Sequence, residues 1–189
     1  MKKISLFPLC LAMIFLLFGC SQEKQGLPVH DSPGANVDYS LMDLSKVYTS
    51  LDEISQDSQL VVEVKLTDKS EEIAYKGANF VLSQVQIIDV VKGDPSYKDR
   101  EIKIFEVKSF NMNLTKKSEH FILFLQKYEG PVTTDESYVI TGVYQGKFGI
   151  DSQNNIMYDA EEYKGEDTFQ SRELLINIDE FKEKIKTKN

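Results

Sequence analysis

A mainly β fold follows from three features of this chain. Apolar residues alternate with period two through most segments after position 59, strand-length runs are separated by turn residues, and helical spacing is confined to two short stretches. The expected class is an antiparallel barrel or sandwich of about seven strands with short flanking helices. Positions 41–189 are expected to form a single β-rich domain, a length that suits one hydrophobic core.

The elements follow in order. In SLMDLSKVYTSLDEISQDSQ, Ser50 and Glu53 have capping-box spacing, and Leu51 and Ile54 share a helical face. A short helix is expected over Leu51–Gln56, with Met42, Leu44 and Val47 packing as a lead-in. LVVEVKLT (Leu60–Thr67) is Val-rich, with Glu63 and Lys65 expected outward. NFVLSQVQIIDVVKGD (Asn79–Asp94) reads as a long strand ending in a Lys-Gly-Asp-Pro turn, and EIKIFEVK (Glu101–Lys108) alternates cleanly. HFILFLQKY (His120–Tyr128) is apolar on both faces and should be central and covered. SYVITGVY (Ser137–Tyr144), GKFGI (Gly146–Ile150) and NIMY (Asn155–Tyr158) complete the set. In NIDEFKEKIKTKN, Asp179 is the expected N-cap of a last helix. Ile178, Phe181 and Ile185 form its stripe, and lysines lie near its end to suit the dipole.

The first residues carry a different signal. Met1-Lys2-Lys3 is a basic start, and no charge follows from Ile4 to Cys20. A basic segment, a short apolar segment and small residues near its end describe a secretory signal peptide over 1–19. The run is short for a spanning helix and holds Pro8. Leu17-Phe18-Gly19-Cys20 resembles the lipobox of bacterial lipoproteins, with Phe18 where a small residue is usual. The resemblance implies cleavage between Gly19 and Cys20 and acylation of Cys20, palmitate being a typical chain. The chain would then reach the membrane through lipid, on its extracytoplasmic face. The plainer alternatives are a signal peptide with an incidental Cys, or an uncleaved anchor. Two or three acyl chains on one residue give long-lived attachment, since each buried CH₂ contributes about 0.8 kcal/mol. Residues 20–40 form the lipidated Cys and a tether rich in Gly, Pro and polar residues. With Cys10 in the signal and Cys20 acylated, no cysteine is left for a disulfide or a metal.

The net charge of −8 falls to −10 once Lys2 and Lys3 leave. Such a surface repels phosphate backbones, so nucleic acid is not an expected partner. No cofactor or metal is expected. Asp151–Glu162 (DSQNNIMYDAEE) has acids first and twelfth, like a calcium loop, but Ile156 stands where that loop needs Gly; a hairpin turn at Asn154-Asn155 is expected instead. Gly142, Gly146 and Gly149 lack the spacing of a phosphate cradle and read as bends or close approaches. His30 lies in the tether and His120 opens the central strand, with no zinc spacing around either. No G-x-S-x-G elbow surrounds any Ser. The acidic pairs Glu71-Glu72, Asp135-Glu136 and Glu161-Glu162 fall in polar stretches and read as solvated surface. Tyr128, Tyr138, Tyr144, Tyr158 and Tyr163 are candidate sugar platforms, though Tyr is equally ordinary in sheets.

From Leu60 to Met157 the order LVVEVKL, VVKGD, IKIFEV, FILFL and GVYQGKF resembles exported bacterial proteins with a small OB-like or netrin-like β-barrel. The resemblance implies the barrel and carries over no catalytic residue. Some netrin-like barrels act as inhibitory or binding modules, and fold analogy alone is a weak warrant for function. The first expectation is therefore a non-enzymatic binding module whose partner is another envelope protein or a wall component. The alternative is an envelope hydrolase with a site near His120. A transporter's solute receptor does not suit so short and β-rich a chain.

Overall fold

In the computed structural model, the described residues are 44–108, 113–114, 118–158, 169–173 and 176–187. All belong to one compact unit, Asn36–Asn189. Helix α1 spans Leu51–Asp57. Ser50 Oγ accepts from Glu53 N at 3.2 Å. The return arm of the cap reaches one residue earlier than in a standard capping box, since Glu53 Oε2 accepts from Thr49 N at 3.0 Å.

The strands are β1 (Leu60–Tyr75), β2 (Ala78–Lys92), β3 (Glu101–Val107), β4 (His120–Lys127), β5 (Tyr138–Ile140), β6 (Lys147–Ile150) and β7 (Ile156–Met157). They form one mixed seven-stranded sheet in the order β1-β2-β3-β5-β4-β6-β7, with β1 also pairing β4. The pairings therefore run in a ring, β1–β2–β3–β5–β4–β1. This corrects the expectation of wholly antiparallel strands, because β3 and β5 run parallel through a single bridge, Ile104↔Tyr138. The ring is thinnest there.

Two further expectations are corrected by backbone geometry. β1 runs well past Thr67. A register shift between Leu66 and Ser70, around the left-handed Asp68 (φ 58°), breaks the alternation that the sequence shows. β1 then continues as an exposed ribbon to a tight turn at Lys76 and Gly77, φ 48° and 85°. β5 is shorter than expected because Gly142 and Val143 adopt positive φ, 66° and 61°, and end the strand. Helix α2 covers Ile178–Lys186, capped by Asn177 rather than Asp179. Asn177 Oδ1 accepts from Asp179 N at 2.9 Å, which puts Asp179 in the first turn.

Alternation along β1 and β4 divides the apolar residues between two cores. Val62, Val64, Leu123 and Leu125 face the ring interior with Val85, Ile87, Ile102 and Ile104. Val61, Ile122 and Phe124 face the other way, against Leu51, Ile54, Phe148, Ile156, Phe181 and Ile185. β4 is thus covered on both faces. Phe148 joins the second core, with ring centroids 4.9 Å from Phe181 and 5.8 Å from Phe124. Gly146 lets β6 approach β4: a Cβ there would lie 2.6 Å from Thr141 O and 2.9 Å from Phe124 Cβ. The outer edge of β7 is sealed by the residues before α2, with Ile156 N donating to Ile176 O at 2.8 Å.

Phe148→Ala should lower unfolding free energy by about 3–5 kcal/mol, because it removes a fully buried ring shared by strands and both helices. Urea denaturation checks this; a loss below about 1 kcal/mol would contradict the packing described.

Candidate functional site

Two polar constellations stand out, one buried and one open. The buried one lies on the outer face of β1, under α2. Glu63, expected outward, is only 7% exposed. Its Oε1 lies 2.6 Å from His120 Nε2, and its Oε2 accepts from Lys182 Nζ. Lys182 also donates to Asp89 Oδ2 at 2.9 Å. The antiparallel register Lys65↔His120 sets Glu63 and His120 diagonally on one face, and the α2 stripe carries Lys182 in beside Phe181 and Ile185.

Burial works against the Glu63 carboxylate, yet the hydrogen bonds from His120 and Lys182 outweigh it and hold its pKa at about 2. Burial likewise opposes the Lys182 ammonium, but its bonds to Glu63 and Asp89 keep its pKa above the ordinary lysine value. A carboxylate so strongly ionised, with both oxygens engaged, is a poor proton acceptor. Ser118, nearest to His120 in sequence, has its Oγ 2.6 Å from His120 O and 3.2 Å from Ile150 O, at backbone carbonyls. The cluster docks a helix on a sheet.

The open constellation is a cleft of about 580 Å³ at the thin seam of the ring. Its walls are the start of β3 (Glu101–Lys103) and the β4–β5 loop at Thr134–Glu136. Tyr97 and Tyr138 line it edge to face, with centroids 6.3 Å apart and their hydroxyls 2.9 Å apart. Burial, then the bond to Tyr97, raises the Tyr138 phenol well above its usual range, so it remains a donor. Arg100 lies over the Tyr97 ring, 4.9 Å from its centroid. The acids are engaged: Lys103 donates to Asp135 across the cleft, Gln84 donates to Glu101, and Glu136 pairs with Lys127 at 3.6 Å. Arg100 makes no ion pair among the described residues.

The other sequence candidates fall as follows. Gly19, Cys20, His30, Tyr163 and the pair Glu161-Glu162 lie outside the described residues. Asp151 Oδ1 accepts from Gln153 N and Asn155 N, both at 2.8 Å, and Asn154 takes φ 61°, so this carboxylate closes a turn. Tyr158 is in the second core and Tyr144 packs against it. Tyr128 stacks on Phe105 at 4.3 Å. Sequence reasoning missed Tyr97, Arg100 and Lys182. Arg100 left one trace, being one of two arginines in a chain whose other basic residues are lysines. Comparison with protein-family models, curated proteins and solved structures gave no match.

Two carboxyls act oppositely on acid stability. Glu63 is depressed to about 2 from 4.5, so its contribution is present above 4.5 and lost as pH falls through 2. Glu106 is pushed up to about 7 by burial, against the pull of Lys147 and of the Leu114 N–H. Its contribution is present below 4.5 and lost as pH rises through 7. Urea midpoints should therefore rise from pH 2 to about 4.5 and decline toward 7. Glu106→Gln should flatten the decline, and Glu63→Gln should cost about 3–5 kcal/mol at pH 7. Unchanged midpoints in the Glu63 variant would contradict the buried network.

Proposed function

We propose that this chain is a lipid-anchored extracytoplasmic binding module, held to the cell membrane through Cys20, which engages another envelope protein or a wall component without catalysis. The observation that carries the binding role is the seam cleft, an open, aromatic-lined recess beside a strand edge. The anchor rests on the Leu17–Cys20 sequence, and among the described residues no helix is long and apolar enough to cross a membrane. In this reading the ring of β1 to β5 is an OB-like barrel, partly open between β3 and β5. Its support is the pairing order 1-2-3-5-4-1.

The alternative, an envelope hydrolase near His120, has one observation in its favour: a carboxylate lies 2.6 Å from the imidazole. Against it, the same carboxylate is held by Lys182, and Ser118 Oγ is turned to backbone carbonyls. The binding reading therefore leads.

Crosslinking on intact cells, with captured molecules identified by mass spectrometry, tests it. Cys20→Ala should be released from the membrane and migrate without the acyl mass. An anchored chain should capture one envelope protein that the released form does not. Recovery of wall glycan alone would shift the partner to carbohydrate, no capture at all would contradict the module, and a Cys20→Ala chain still membrane-bound at unchanged mass would overturn the anchor.

A further inference from the structure

We infer that the seam cleft takes the free C-terminus of a partner polypeptide, added as a short extended segment antiparallel to β3, with its terminal carboxylate on Arg100. The inference rests on the binding-module reading and names its ligand.

Three observations converge. First, Glu101–Lys103 face the Thr134–Glu136 loop across the cleft with no backbone hydrogen bond between them among the described residues. A strand edge left open toward a recess is a template for an added strand. Second, the bridge Ile104↔Tyr138 closes the cleft at its far end. The bridge excludes a straight through-running strand, so in this orientation the partner chain bends in over the bridge and only its last three or so residues lie along Glu101–Lys103. Third, Arg100 stands immediately before β3. A segment antiparallel to β3 ends beside that point, so its terminal carboxylate arrives at the guanidinium. This group is already oriented by stacking on Tyr97 and has no ion pair among the described residues. A planar fork of this kind binds a carboxylate through two parallel bonds. The half-buried Tyr97 ring, backed by the buried Tyr138, offers an apolar contact for one ligand side chain.

The charges agree with this orientation. The cleft carboxylates Glu101, Asp135 and Glu136 pair with Lys69, Lys103 and Lys127, while Arg100 has no ion pair among the described residues. Asp94, held below its ordinary value by the Ser96 N–H and more weakly by Arg100, is the carboxylate that feels its charge. The Lys103–Asp135 pair crossing the cleft is exposed on both sides and opens at small cost.

The experiment is an amide-proton NMR titration of the folded domain with pooled N-acetylated tetrapeptides bearing free carboxylates. Matched C-amidated peptides and glucuronic acid serve as comparisons. The acids should shift Tyr97, Arg100 and Glu101–Lys103, and amidation should weaken binding by about tenfold or more. Arg100→Ala, an exposed position whose fold the same spectra verify, should abolish the difference between acid and amide. Equal binding of acids and amides, saturation by glucuronic acid at the same resonances, or shifts confined to other surfaces would each overturn the inference. In the cellular crosslinking, an Arg100→Ala chain that still captures the same partner would overturn the inference and leave the binding module standing.

Discussion

The strand His120–Lys127 has to hide both of its faces, and the rest of the molecule follows from that. Phe121, Leu123 and Leu125 need an interior on one side, while Ile122 and Phe124 need another on the opposite side. Rolling β1 to β5 into a ring supplies the first. The second needs separate cover, which β6, β7, α1 and α2 provide. At about 25 cal/mol per Å² of apolar surface, leaving either face wet is not sustainable for a strand this apolar. The two short helices are therefore lids over the outer core.

This division also explains which polar cluster is structural. Glu63 occupies an outer-face position on β1 that α2 must cover, so its charge is taken from water. Removing water from a carboxylate is tolerable only when its oxygens are met, and His120 and Lys182 meet them. The result fixes where α2 docks and leaves the carboxylate little capacity for proton transfer. The seam is the reverse case. Its charged groups are exposed or half-buried, its ion pairs are cheap, and its strand edge is incompletely paired. Pairing is thinnest between β3 and β5, where one bridge joins them, and the proposed binding role draws on that.

Much of the fold was legible because alternation survives wherever one face is buried. The β4 assignment needed only two apolar faces in a strand-length run, and the N-cap at Ser50 needed only its partner three residues on. What stayed hidden had specific causes. The left-handed Asp68 hid the outer half of β1, and that half is solvated, so no burial imposed a pattern. A single parallel bridge leaves no periodicity at Tyr138. Asp179 was a plausible cap, but the edge of β7 draws Asn155 and Asn177 into a bridge and starts the helix at Ile178. Glu63 read as an outward charge because one strand cannot announce a helix that arrives 119 residues later in the chain. Arg100 and Tyr97 belong to a connection between strands, and pattern reading assigns no face there.

In the proposed anchored reading, the first described segment bears on how load would reach the seam. Gln145, itself buried, accepts from Tyr48 N and donates to Tyr48 O, both at 3.1 Å. Tyr48 also packs in the second core and donates its hydroxyl to Asp57 at 3.0 Å. A pull arriving from the amino-terminal side is therefore met first by Tyr48, α1 and the turn that holds Gln145. None of these lines the seam, whose walls belong to β3 and the β4–β5 loop. If the chain is anchored as proposed, load arriving through this entry falls on the outer core, while the interior core keeps β3 and β5 in register.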